Sequence, residues 1–252
     1  MPKIYLLCDD YISQLEIVNK NPNILVFNSL EKYGPINRKL MERTQGNNYK
    51  TLWEDFMMEK TAIMDKALTD NKSVFFTDCD ICVMGPLPDI PSEYKLALSP
   101  HEIRPADEQK FGRFNAGFLW TSEPTMPELW RQASTRSRYY DQAALEELQT
   151  AFPTYIFPSS INYGWWRMYQ SILPHDKLQA DWKLFRTPTT SGIKVKDNHL
   201  LSIHTHMLEK QDLITILFNK FVISRLKVLA AGKQKNAQLF LNFLANELKI
   251  DI

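Results

Sequence analysis

The sequence predicts an α/β protein, a sheet flanked by helices. Short β-branched and aromatic runs alternate with longer segments of helical period, the pattern of strand and helix taking turns along the chain. Apolar residues make up 44% of the chain and charged residues 23%, the balance of an ordinary globular core. At 252 residues the chain is long enough for one domain with a sizeable core and a helical C-terminal appendage.

Ile4 to Cys8 reads as the first strand, ending at Asp9-Asp10, and Ile24 to Phe27 as the second. Residues 48 to 70 place Leu52, Phe56, Ile63, Ala67 and Leu68 near helical spacing, and Asn71-Lys72 ends that helix. Val74 to Thr77 follows as a strand buried on both faces. Leu96 to Ser99 is another strand, residues 100 to 113 an exposed polar loop, and Phe114 to Thr121 a further strand. Pro127 to Ser137 and Asp141 to Phe152 read as helices, the first with proline near its start. Residues 153 to 190 are rich in Pro, Tyr and Trp without a period. Leu200 to His204 is the final strand, and residues 209 to 249 are helix-forming with a break near Gly232. The expected division is therefore a domain over 1–208 and a helical extension over 209–252 packed on it.

With 30 basic and 29 acidic residues the net charge is +1, so the total charge calls for neither nucleic acid nor an anionic membrane. Residues 1 to 7 are too short an apolar stretch for a signal peptide, and no run reaches a membrane span, so a cytoplasmic setting is expected. Lys220, Arg225, Lys227, Lys233 and Lys235 make the tail basic; it reads as a solvated helix face, with membrane contact the other reading. Cys8, Cys79 and Cys82 are too sparse for a disulfide framework, and a single C-x-x-C lacks the second pair of a zinc site. Three reduced, mostly buried thiols are expected.

In SVFFTDCDICVMGPLP (73–88), two carboxylates leave an apolar run just before Gly-Pro. If the chain stays extended through Cys79, Asp78 and Asp80 share a side and repel, so a cation is expected beside them; Mg or Mn suits carboxylate oxygen. Ligands of open α/β sheets bind beyond the carboxyl ends of strands. Asp9-Asp10, Asp78 and Asp80, and His204 with His206 all fall at such ends. Two carboxylates plus an imidazole would hold the ion against a diphosphate. The bland readings are a strand-end turn for the aspartates and structural histidines bonded to carbonyls. Asp141 reads otherwise as an N-cap, Lys60 as a surface residue, and Trp165 and Trp166 as either core or, with Tyr163, a platform for an acceptor sugar.

An ordered series of motifs carries a resemblance: LLCDDY (6–11), Lys60, FFTDCDICVMGPLP (75–88), FNAGFLW (114–120), YYDQAAL (139–145), FPSSINY (157–163) and HTHMLEK (204–210). Over residues 1 to about 210 the chain resembles nucleotide-sugar glycosyltransferases of the GT-A fold, a single Rossmann-like domain with a mixed central sheet, closest to glycosyltransferase family 8. The resemblance implies a metal-dependent, retaining transfer of a sugar from a nucleotide diphosphate donor, a UDP-sugar, to a hydroxyl of a glycan or glycosylated acceptor. It implies Asp78 and Asp80 as metal ligands, with Asp78 also on the donor ribose. Cys8, Asp9 and Tyr11 would hold the base, Lys60 the donor sugar or diphosphate, and Asn115 and Gly117 the sugar pocket. Asp141 and Gln142 would lie beside the reacting carbon, with His204 completing the metal site and Lys210 on the leaving diphosphate. Met207 and Gln211-Asp212 depart from the family's Gly and Pro-Trp, which leaves open whether His206 is the ligand instead of or alongside His204.

Two rivals follow from the same residues. A haloacid-dehalogenase-like phosphotransferase also has D-x-D after an apolar strand, but opens its domain with it and follows it with Thr or Val, where this chain has Cys82 after some 70 preceding residues. A non-catalytic sugar- or protein-binding domain on a transferase scaffold would be free to lose Asp78, Asp80 and Asp141, which are all present.

Overall fold

A computed structural model describes residues 2–170, 176, 180–187 and 191–252; part of the aromatic stretch 153–190 lies outside these residues. The protein is mixed α/β, as expected. Its chain divides into two compact units, Met1–Phe75 with Trp120–Pro153, and Phe76–Leu119 with Thr154–Ile252.

In the first unit, β1 (Ile4–Cys8) pairs in parallel with β2 (Ile24–Asn28), Ile4 facing Ile24. The main helix spans Leu52–Asp70, capped by the Thr51 hydroxyl, which accepts from the Glu54 amide at 3.2 Å. Met58, Thr61, Met64, Ala67 and Leu68 are buried along it at three- and four-residue spacing. The helices Met126–Ser134 and Tyr140–Ala151 belong to the same unit. Arg131 ties the first of them to the main helix, donating to Asp65 at 2.7 Å and to Thr61 at 3.0 Å.

The main helix starts four residues later than its pattern suggested because residues 47–49 are held as a loop. The buried Asp55 carboxylate accepts from three successive amides, those of Asn47, Asn48 and Tyr49. Removing it strands three donors, so Asp55→Ala is expected to cost about 3 kcal/mol in urea unfolding. A loss under about 1 kcal/mol would show that the loop amides find water instead.

In the second unit β3 (Val74–Thr77), which begins two residues before the boundary, leads into β4 (Ile81–Val83). Cys79 and Asp80 form a turn between them, with the Ile81 amide donating to the Asp78 carbonyl at 3.3 Å. The chain is therefore not extended through Cys79, and strand alternation does not set the directions of Asp78 and Asp80. β3 is half-buried, not covered on both faces. β5 (Leu96–Pro100) and β6 (Phe114–Thr121) are buried throughout, consistent with their continuous apolar runs. The expected polar loop between them contains a helix, Pro105–Phe111, with proline at its start and Asp107 and Glu108 in its first turn. β7 (Thr154–Ile156) pairs in parallel with β5. β8 (Tyr163–Gly164), β9 (Trp182–Arg186), β10 (Ser191–Val195), β11 (Asn198–His199) and β12 (Ser202–His204) follow.

Hydrogen bonding among the described residues divides the strands into several sheets, in the orders β1-β2, β3-β6-β5-β7, β4-β12-β8 and β11-β10-β9. The third is mixed: β12 runs antiparallel to β4 and parallel to β8. It sets the site, because pairing His204 with Ile81 brings the end of β12 to the turn at Asp80. The C-terminal helices, Leu213–Ala231 and Lys235–Asn246, add Phe218, Phe221, Val222, Leu226, Ala237 and Leu241 to one apolar core with Cys82, Tyr163, Trp182 and Ile203. No helix among the described residues is long and apolar enough to cross a membrane.

Candidate metal centre

Asp80, His204 and His206 converge, each offering one ligand atom within 4.8 Å of the others. His204 Nε2 lies 3.1 Å from Asp80 Oδ1, and His206 Nε2 lies 3.3 Å from Asp80 Oδ2. Two hydrogen bonds from Thr205 hold them: its amide donates to the Asp80 carbonyl at 3.0 Å, and its hydroxyl donates to the same oxygen at 3.0 Å. His206 is tied from the other side, its carbonyl accepting from Asn219 Nδ2 at 2.6 Å.

A chain of amides fixes the tautomer of His204. The Gly117 amide can only donate, and it donates to Asn115 Oδ1 at 2.9 Å. The same oxygen then accepts from Asn162 Nδ2 at 2.9 Å, which turns Asn162 Oδ1 toward His204 Nδ1 at 3.1 Å. Nδ1 therefore carries a proton, and Nε2 is the ring nitrogen that faces Asp80. Asn162, Asn115 and His204 are all buried.

With Nδ1 protonated, Nε2 can meet the carboxylate either as a second N–H donor or, as a lone pair, through a cation held between them. Asp80 Oδ1 is buried and receives no aligned hydrogen bond from any described residue, although His204 Nε2 is close enough for one. Burial would raise the Asp80 carboxyl, but the imidazoles of His204 and His206 outweigh it and hold the group well below the usual carboxylate range. Two imidazoles around one carboxylate, with an outer partner orienting one ring, have the chemistry of a divalent-metal site. The residues present thus fit a metal ion.

Gly117 leaves room for the remaining carboxylate. A Cβ there would sit 2.6 Å from Asp78 Oδ2 and 2.6 Å from His204 Cε1, so Asp78 and His204 crowd the same glycine. The Asp78 amide donates to the Gly117 carbonyl at 2.7 Å, anchoring the two segments. Asn115 and Gly117, expected in a sugar pocket, here support His204 and make space for Asp78.

Lys210 is exposed, past the end of β12. Trp166 is buried with its Nε1 donating to the His101 carbonyl at 3.3 Å, so it is core. Tyr163, fully buried with its hydroxyl on Asp181 at 2.8 Å, is core as well and does not present a sugar platform. Trp165 is half-buried, its ring centre 5.0 Å from that of His206. His204 bonds the Asn162 side-chain amide, and both histidines face the Asp80 carboxylate. Cys8 and Cys82 are buried thiols as expected, with burial pushing Cys82 up to about 12, whereas Cys79 is exposed at the turn.

The other expected site residues lie in the first unit. Asp9 caps the short Asp10–Ser13 helix, accepting from the Ile12 amide at 2.9 Å, and Tyr11 is 72% exposed. Lys60 is buried in a 2.7 Å ion pair with the equally buried Asp141, so it is not a surface residue. The Asp141 carbonyl accepts from Trp130 Nε1 at 2.7 Å. Asp141 and Gln142 stand in the first turn of their helix, whose cap is Tyr139; Asp141 is not the N-cap. The preceding Tyr140 has φ 43°, a left-handed backbone uncommon outside glycine and asparagine.

Asn162, which orients the His204 ring, is a candidate site residue that the motifs alone do not single out. Its signal was present in FPSSINY: an asparagine, the residue type that tolerates φ > 0, sits at φ 59° just before β8. No protein-family model and no curated protein matches the chain.

Proposed function

We propose that this protein is a metal-dependent glycosyltransferase of the GT-A type, moving a sugar from a UDP-sugar to an acceptor hydroxyl with retention of configuration. The convergence of Asp80, His204 and His206 beside Asp78 is the observation that carries the reading. A divalent ion, Mn or Mg, held by Asp80, His204 and His206 with Asp78 alongside, would neutralise charge growing on a departing diphosphate, the dominant electrostatic contribution to such a transfer.

The chain's own groups take the remaining roles in this proposal. Asn162 and Asn115 keep the His204 ring nitrogen turned toward the ion. Lys210, exposed beyond β12, is a cation suited to a diphosphate. Lys60 and Asp141 neutralise one another in a buried pair that holds the carboxylate in place beside Gln142.

Calorimetric titration with UDP, with and without Mn2+, tests the reading. UDP is expected to bind only when the metal is present, and Asp80→Asn is expected to weaken that binding by about 100-fold, as losing a group that orients a metal does. Metal-dependent UDP binding with no sugar transfer to any acceptor would make the protein a binding domain on a transferase scaffold. Metal-independent binding would overturn the site.

A further inference from the structure

We infer that the centre at Asp80 is a nitrogen-rich one that selects imidazole-preferring ions such as Co2+ or Zn2+ over Mg2+ and Ca2+, and loads the ion on protein side chains before any nucleotide is present. This rests on the cation site of the proposed function but not on its nucleotide or sugar.

The donor set argues for it. A site meant for Mg2+ is built from carboxylates, carbonyls and water, because hard cations favour oxygen and Mg2+ gives up its water reluctantly. Here two of the three converging groups are imidazoles, and each faces a different oxygen of the same carboxylate. Imidazole nitrogen favours the later first-row ions in the order of increasing affinity toward copper, with Mn2+ at the weak end.

His206 makes the difference. With His204 alone, one nitrogen would stand against the oxygens of Asp80 and Asp78. His206 adds a second nitrogen from two residues along, on a backbone pinned by Thr205 and Asn219. Its side chain is 40% exposed, unlike the 6% of His204. An ion can therefore arrive from solvent on the His206 side and meet a ring that needs no unburying. His204 is preset by Asn162, and three protein ligands are in place together, so retention of the ion does not wait for a diphosphate.

Titration of metal-free protein with Co2+, followed by its visible absorption and by calorimetry, tests this without any activity. Co2+ is expected to bind at least about 100-fold more tightly than Mg2+ in the absence of nucleotide, reflecting the ligand types. His206→Ala is expected to lose at least about 10-fold in Co2+ affinity and to change the absorption of the bound ion, while leaving Mg2+ binding nearly as weak as before. Because His206 is partly exposed, the variant is expected to fold, and His206→Gln serves as a second probe. Equal Co2+ and Mg2+ affinity would overturn the inference and leave the metal-dependent transferase reading standing. Tight Co2+ binding unchanged in both variants would remove His206 from the site. No binding of either ion, with UDP binding intact, would overturn both the inference and the metal centre.

Discussion

Gly117→Ala is expected to reduce cation affinity by about 10- to 100-fold while the protein still folds. The added Cβ would meet Asp78 Oδ2 and His204 Cε1 at 2.6 Å, closer than atoms tolerate, and Asn115 Oδ1 at a tight 3.0 Å. All three are side-chain atoms, and the Asp78 carboxylate and His204 ring can swing away from the new methyl. Stability then falls by only about 1–3 kcal/mol, the ordinary cost of overpacking. Cation binding has no such escape, because the displaced groups are the ones whose positions define the site. The two effects separate in measurement: urea unfolding reads the first, and Co2+ titration reads the second. Unchanged Co2+ affinity in a folded variant would show that neither Asp78 nor the position of His204 matters to the ion. A variant that loses more than about 5 kcal/mol would show that Gly117 serves packing first, contrary to its placement against side-chain ends.

Lys60→Met is expected to destabilise the first unit by about 3–5 kcal/mol, because it leaves the buried Asp141 carboxylate without the ammonium that pairs with it. Asp141 is 3% exposed, and Lys60 Nζ, 2.7 Å away, is the cation that faces it. Part of the lysine's setting is aromatic, its ammonium lying 5.7 Å from the Trp130 ring centre, while Trp130 itself donates to the Asp141 carbonyl. The destabilisation comes from an unpaired charge, so removing the charge should reverse it. Lys60→Met with Asp141→Asn is expected to recover most of the loss in urea unfolding, since a buried pair replaced as a unit is often near neutral. A single variant costing under about 1 kcal/mol would mean that water reaches Asp141. A double variant as unstable as the single would mean that Lys60 acts through its packed stem, not its charge.

Much of the local architecture was legible from the residues. β1, β3, β5 and β6 lie within a residue of their predicted spans, since runs such as FNAGFLWT declare a buried strand by composition alone. The break near Gly232 separates two helices capped by Asp212 and Gln234. The helix at Pro105–Phe111 was hidden because seven residues of mostly polar type carry no apolar stripe, and only proline at the start and acids in the first turn mark it. The late start of the Leu52–Asp70 helix was also hidden: Asp55 holds three loop amides six to eight residues upstream, a contact that periodicity does not encode.

For the site, the sequence by itself determined the chemical types: paired aspartates after an apolar strand, and two histidines after another, far apart in the chain. It could not decide their geometry, because it implied an extended segment where the backbone turns at Cys79 and Asp80. Only the tertiary structure decided which groups meet. Antiparallel pairing of β12 with β4 carries His204 and His206 to Asp80 across more than 120 residues, and the amide chain from Gly117 through Asn115 and Asn162 sets the ring nitrogen that faces it. The physical reason is one of range. Propensity and periodicity act over a few neighbouring residues, whereas strand register and hydrogen-bond direction are properties of segments that become neighbours only when the chain folds.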